Sequence, residues 1–368
     1  MFPGDEIFSW VSAMADVFEY LKWRGDIPFP QVPPNPVDCL IFSALSYIRF
    51  GGIVPDTPDR QISLGQAAEA LLSDPESGSK IRTPKDLELL SAAAASPRFG
   101  QVGLTYYRDV FIPEEDTQFA AITFLPGDGS ALLTFRGTDN TLVGWKEDFN
   151  MTFQQSIPAQ RLAQEYTQVF SESTALPLRL AGHSKGGNLA VYAAAKSSAL
   201  TQARIMEVCN YDGPGFTEHM LTDPGYQRIV PRIQTFVPQS SFFGMLLERE
   251  EPHSIIKSAQ FGLLQHDPYS WEVLGGSFVP ADGFTPDSRF LDRTFKAWLA
   301  GMTNQERSDF FGNLFELLMI EDTNHPRDII RPQNLRAYFK NLHTDEDMRH
   351  VIASELANLI RSARQSRE

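Results

Sequence analysis

Apolar residues recur at helical spacing near the start of the chain: Ile7, Phe8, Trp10, Val11, Met14, Val17, Phe18 and Leu21. This period predicts an amphipathic helix over 5–24 that stops near Gly25. Pro28, Pro30, Pro33, Pro34 and Pro36 follow and exclude regular structure there, because each removes a backbone donor and fixes φ. A second helix is expected over 38–50, with Asp38 as its cap. Thr83-Pro84-Lys85-Asp86 reads as another helix start, with Leu87, Leu89 and Leu90 behind it.

From Gly103 the period changes. Leu104 to Tyr107 and Phe119 to Phe124 are strand-like, and Gly127-Asp128-Gly129 before Ser130 to Phe135 is a hairpin signal. A helical stretch over 157–173, an apolar run from Leu178 to Ala181, a small-residue helix over 187–197 and strands over 205–210 and 232–237 come next. Strands alternating with helices predict an α/β domain with a mostly parallel sheet. Beyond about 284 the pattern is helical again, with Leu291, Phe295, Trp298 and Leu299 on one face, then Phe310, Phe311, Leu314, Phe315, Leu317 and Leu318. The expected organisation is a mainly helical N-terminal extension over 1–100, an α/β core over 100–284 and a C-terminal helical appendage over 285–368.

Composition narrows the field. The 368 residues carry 32 Lys+Arg against 46 Asp+Glu, a net charge of −14 that would repel a phosphate backbone. No nucleic-acid partner is expected. Hydrophobic residues at 42% and charged residues at 21% are ordinary for a folded globular chain. Cys39 and Cys209 are too few for a disulfide framework or a thiolate zinc site and read as buried free thiols. Asp5 and Glu6 stand where a secretory leader would carry Lys or Arg, and no apolar run approaches the ~20 residues of a membrane span. A cytoplasmic protein without a transmembrane segment is expected.

The chemistry concentrates at Gly182-His183-Ser184-Lys185-Gly186, a G-x-S-x-G pentapeptide. An apolar strand enters it and a run of small residues leaves it as a helix, which is the strand-turn-helix of a nucleophile elbow. Its alternative is an ordinary glycine-rich connection. In the elbow reading Ser184 is the nucleophile, and the Lys185 N–H faces a developing oxyanion at the helix N-terminus. Phe135-Arg136-Gly137-Thr138-Asp139 ends an earlier strand, and Thr138 could supply the second oxyanion donor from its backbone and hydroxyl. Arg136 reads as scaffold, paired with a carboxylate such as Asp148.

Leu132 to Thr138, Gly182 to Ala190 and Tyr211-Asp212-Gly213-Pro214-Gly215 together resemble the ordered landmarks of class 3 lipases in the α/β-hydrolase superfamily. With Lys185 in the elbow, Val237 to Ser241 and Gln265 to Trp271, the chain is more similar still to an uncharacterised bacterial lipase-like branch. The resemblance spans roughly 100–280. It implies an α/β-hydrolase core and acyl-ester hydrolysis through a serine triad.

Chain order in such enzymes puts the base after the serine. His219, His253, His266, His325, His343 and His350 qualify. His266, before the aromatic stretch Tyr269 to Trp271, is the chosen base, where the resemblance also expects it. His253 is the runner-up, and His183 is assigned to bonding beneath the turn. The resemblance implies an aspartate after the strand ending at Val237, but Gln239-Ser240-Ser241 stands there. Asp212 is the substitute acid, Asp267 is badly placed beside its own base, and a serine or glutamine orienting the imidazole is a third option.

The leading expectation is a serine hydrolase acting on a carboxylic ester or thioester through an acyl-enzyme, with no metal or organic cofactor. A catalytically degenerate binding or regulatory protein and an acyltransferase are the alternatives. Phe242, Phe243, Met245, Leu246 and Leu247 form an apolar cluster that reads first as a core-facing helix and second as an acyl pocket or a lid. The acidic surface favours soluble esters or thioesters over anionic lipid surfaces.

Overall fold

The structure, a computed structural model, describes residues 15–139, 141–319, 328–329 and 331–367. Eight strands form one sheet whose spatial order follows the chain: β1 (Ile62–Ser63), β2 (Gly103–Ile112), β3 (Thr117–Leu125), β4 (Ala131–Phe135), β5 (Leu178–His183), β6 (Ile205–Tyr211), β7 (Ile233–Pro238) and β8 (His253–Ile256). The β1 to β4 pairs are antiparallel, and every pair from β4 to β8 is parallel. This is an α/β-hydrolase-like core.

Parallel strands laid down in sequence, each joined by a right-handed crossover, put their connecting helices on one face. The helices Pro158–Ser173 and Lys185–Lys196 cover that face, packing on Leu133, Phe135, Leu180 and Val208. The other face, carrying Ile122, Phe124, Leu132 and Ala181, would be bare, and the N-terminal helices cover it. Alternate residues of each strand serve the two layers, as a two-residue period requires. Helix Pro36–Leu45 is buried almost throughout, and Phe42 packs on Phe99 and Phe124.

Several helix ends differ from the expectations. Asn35, not Asp38, caps helix Pro36–Leu45: Pro36 occupies the first turn, where its missing N–H costs nothing, and Asp38 closes a capping box on the Asn35 N–H at 2.9 Å. That helix stops at Leu45 rather than at 50. Asp38 also takes a fully buried ion pair from Arg98 at 2.6 Å. The first helix is Val17–Arg24, capped by Asp16; the predicted positions 5–14 lie outside the described residues. Thr83 caps helix Pro84–Ala95 as its sequence predicts. Helix Leu142–Asn150 and strand β8 were not expected from the pattern. Cys39 and Cys209 are buried and free.

After the core come helices Pro286–Ala300, Asn304–Leu318, Pro332–Thr344 and Glu346–Gln365. They are packed on the core at a defined place. Phe311 stacks on Phe149 with centroids 4.6 Å apart, and Arg307 donates to the Thr152 carbonyl at 2.7 Å. Among the described residues no helix is long and apolar enough to cross a membrane.

Candidate active site

The elbow forms because β5 runs straight into helix Lys185–Lys196 with a single residue between them. That residue is Ser184, held at φ 59°, ψ −134°. A positive φ strains any side chain but glycine, and it persists only where the surroundings over-determine it. Here they do: a Cβ at position 182 would fall 2.1 Å from the Gly186 carbonyl oxygen, and one at 186 would fall 2.0 Å from that of Phe135. The Ser184 N–H is tied to the Tyr211 carbonyl at 2.8 Å. Ser184 is half-buried and lines an apolar cavity, and its hydroxyl makes no hydrogen bond among the described residues. The N–H groups of Lys185 and Gly186, in the first helical turn, have no acceptor there either, as helix geometry requires.

At the end of β6, Asp212 is fully buried and also sits at positive φ, 54°. Its Oδ2 lies 2.6 Å from Nδ1 of His266. Its Oδ1 accepts the Ser241 hydroxyl at 2.5 Å. The structure therefore joins Asp212 to His266 across 54 residues, and the loop after β7, where an acid was sought, contributes a serine that holds the acid from behind. The serine of this loop bonds the carboxylate and not the imidazole. A Cβ at position 244 would fall 2.2 Å from Asp212 Oδ1, so glycine is required beside this bond. Ser241 is itself anchored to the C-terminal helices, its carbonyl accepting the Ser288 hydroxyl at 2.5 Å.

His266 is held by its backbone as well as its ring. Its carbonyl accepts from His183 Nε2 at 2.8 Å, and the preceding carbonyl of Gln265 accepts from Trp271 Nε1 at 2.8 Å. The ring lies between those of His183 and Phe243, with centroids 4.6 and 4.5 Å away. Since a carbonyl only accepts, His183 carries its proton on Nε2, and its Nδ1 accepts from the Tyr47 hydroxyl at 3.1 Å. Burial, then the neighbouring His266 and Arg82, push the His183 pKa well below the usual range, so it stays neutral. Tyr47 belongs to the N-terminal layer, and Arg82 lies 3.9 Å over its ring. Tyr269 donates to Asp86 at 2.6 Å, and Lys85 pairs with Asp267 at 3.0 Å, so the same layer braces the His266 loop from outside.

The other candidates fall elsewhere. His253 opens β8 and stacks on Phe284 with centroids 5.8 Å apart. Asp267 is occupied with Lys85 and with capping the turn Pro268–Ser270. His219, His343 and His350 sit on peripheral helices, and His325 lies outside the described residues.

On the opposite side of Ser184 stands a second polar cluster. The Lys185 side chain is buried and ends in Glu147 Oε2 at 2.7 Å, the Gln118 carbonyl at 2.9 Å and Gln118 Oε1 at 3.0 Å. Glu147 is fully buried and also accepts the Ala159 N–H at 2.9 Å. The elbow lysine thus ties the first turn of its helix to β3 and to helix Leu142–Asn150. Thr138 donates its hydroxyl to Asp148 Oδ2 at 2.5 Å, so that proton points at a carboxylate rather than into the cavity. Burial is the main cause that pushes the Asp148 carboxyl up to about 7; Lys185 and the Thr138 bond pull the other way. Arg136 does not pair with Asp148, as its sequence reading proposed. It pairs with Asp109 at 2.8 Å, because its long side chain reaches across β3 to a half-exposed carboxylate on β2, whereas Asp148 is turned to Thr138.

The cavity beside Ser184 has a volume of about 210 Å³. Phe242, Phe243, Leu246 and Leu247 do line it, on a loop with a short 3₁₀ turn, Phe243–Met245, rather than on a core-facing helix. Helices from the C-terminal region complete the wall with Phe295, Leu299 and Phe311.

A strained serine between a parallel strand and a helix, with a histidine–aspartate pair at the carboxyl end of the same sheet, defines the chain as one of α/β-hydrolase fold. It belongs to the Mbeg1-like family, whose profile matches residues 93–316. Two solved structures are similar. A mutant form of MDLA from Penicillium cyclopium is 15% identical with a TM-score of 0.36, covering 60% of this chain and 77% of that one. M37 lipase is 12% identical with a TM-score of 0.35, covering 57% and 68%. No curated protein matches the chain.

Proposed function

We propose that the protein is a serine hydrolase that cleaves carboxylic esters or thioesters through an acyl-enzyme on Ser184. The observation that carries this reading is the 2.6 Å bond between His266 Nδ1 and the buried carboxylate of Asp212, set at the sheet end where Ser184 is strained into the cavity. A carboxylate accepts, so the imidazole proton sits on Nδ1 and the Nε2 lone pair is left to take the serine proton.

Ser184 Oγ attacks the acyl carbon while His266 Nε2 accepts its proton, and the carbonyl oxygen becomes an oxyanion. The free N–H of Lys185 stabilises that charge together with the backbone N–H of Thr138, whose hydroxyl is held by Asp148, at the positive end of helix Lys185–Lys196. Collapse expels the alcohol or thiol, which leaves with the proton from His266. Water, deprotonated by the same nitrogen, then attacks the acyl-serine and releases the acid and the free enzyme. Asp212 holds the tautomer and stabilises the imidazolium, and Ser241 holds Asp212. Contacts between nucleophile and base are commonly long without substrate and tighten on binding, which accords with the unbonded Ser184 hydroxyl.

The test is turnover of p-nitrophenyl butyrate. Wild type should hydrolyse it, and Ser184→Ala and His266→Ala should each fall to the background rate while remaining folded by circular dichroism. Activity unchanged in Ser184→Ala would overturn the assignment.

A further inference from the structure

The cavity at Ser184 is walled by rings that brace one another. Phe311 stacks on Phe149, and Phe295 meets Phe242 edge-on with centroids 4.7 Å apart. Phe295 in turn packs against Trp298 at 5.6 Å, so the wall is part of a packed aromatic cluster. Polar groups are few: the Lys185 charge is consumed by Glu147 and Gln118, Asp148 Oδ2 accepts from Thr138, and Asp148 Oδ1 lies 4.0 Å from Lys185. A sugar-like or ionised occupant would leave most of its polar atoms unmatched against this apolar wall, which is costly. The chemistry fits a hydrocarbon chain.

Size adds a limit. A cavity of about 150 Å³ accommodates benzene, so one of about 210 Å³ has room for about eight carbons. We propose that this cavity is the acyl subsite of the hydrolase, that it takes unbranched acyl groups of up to about eight carbons, and that Phe295 and Phe311 of the C-terminal helices set the limit. The proposal rests on the serine-hydrolase reading above and goes beyond it by naming the substrate class.

Two measurements test it separately from that reading. In wild type, kcat/KM for p-nitrophenyl esters should rise about fourfold per methylene from acetyl to octanoyl and level or fall beyond. Phe295→Ala and Phe311→Ala should move the break to longer chains. In Ser184→Ala, which lacks the nucleophile but keeps the wall, calorimetric Kd for methyl n-alkyl ketones should fall with the same step and break at the same length. That arm needs neither catalysis nor a wall variant. Ester turnover with no break in either series would overturn the acyl subsite and leave the hydrolase standing. A ketone break with no ester turnover would support the subsite and sink the hydrolase.

Discussion

The two sides of Ser184 each bury a carboxylate cluster, and they are built on different principles. On one side Asp212 has both oxygens engaged, one by His266 and one by Ser241, and the His266 ring is partly exposed. On the other, Lys185 and Glu147 form an almost fully buried ion pair, while Asp148 accepts from Thr138 and keeps its second oxygen 4.0 Å from Lys185 without a hydrogen bond. The first cluster is satisfied and reaches the cavity only through the Phe243 ring beside His266, whereas Lys185 and Asp148 of the second line it. The second braces the elbow from within. If Ser184 acts as proposed, the first carboxylate serves proton transfer and the second holds the turn, and substitutions should separate the two uses.

The largest separation is expected at Asp212. Asp212→Asn keeps the shape but favours the wrong imidazole tautomer, and kcat should fall about 10⁴-fold with an unchanged melting temperature. Steady-state kinetics and a thermal melt on the same sample check this. Glu147→Ala should do the reverse: leaving Lys185 buried and unpaired should cost about 3–5 kcal/mol of stability, measured by urea unfolding. The double variant Lys185→Met/Glu147→Leu should recover most of it, since no charge is then stranded.

Smaller effects sharpen the same line. Ser241→Ala removes one bond to a buried carboxylate, a loss of about 1.5–3 kcal/mol, and kcat should drop about 10- to 100-fold. Asp148 gives a pH signature. Its carboxyl rises from an ordinary 3.8 to about 7 on folding, so folding favours its protonated form. That contribution is fully present below 3.8 and is lost as pH rises through about 7. Asp148→Asn should therefore gain stability relative to wild type between pH 4 and 8, and unfolding at a series of pH values reads it directly. A flat difference would mean that the carboxyl titrates normally.

Much of the architecture was legible because its signals are local. The elbow pentapeptide, the strand before it and the small-residue helix after it are contiguous, and chain order then pointed to His266 and Asp212 as residues to look for. What stayed hidden was set by partners far apart in the chain. Nothing near Lys185 announces that its charge ends on Glu147, 38 residues away, or that Gln118 completes it. Helix Leu142–Asn150 begins with Leu142 and Val143 and then carries charges and a tryptophan, too short a pattern for a period to emerge. The missing acid after Pro238 looked like a gap. In space the Ser241 hydroxyl fills it by bonding Asp212. The apolar run after Ser241 suggested a helix, yet Gly244 is pressed against Asp212, and the chain makes a tight turn that leaves the phenylalanines facing the cavity.

Both extensions contribute to the core and to the site. The N-terminal helices cover the sheet face that one-handed crossovers leave open, and through Tyr47 they reach His183. The C-terminal helices close the cavity and, through Ser288, hold Ser241. Ending the chain at 284 should therefore expose apolar surface and give an aggregating protein.

In the proposed mechanism Ser184 is a nucleophile activated by His266 and Asp212. Incubation with a fluorophosphonate followed by peptide mass spectrometry tests it most directly. A single adduct on Ser184 is expected in wild type, formed far more slowly in Asp212→Asn. No adduct, or one on another serine, would contradict it.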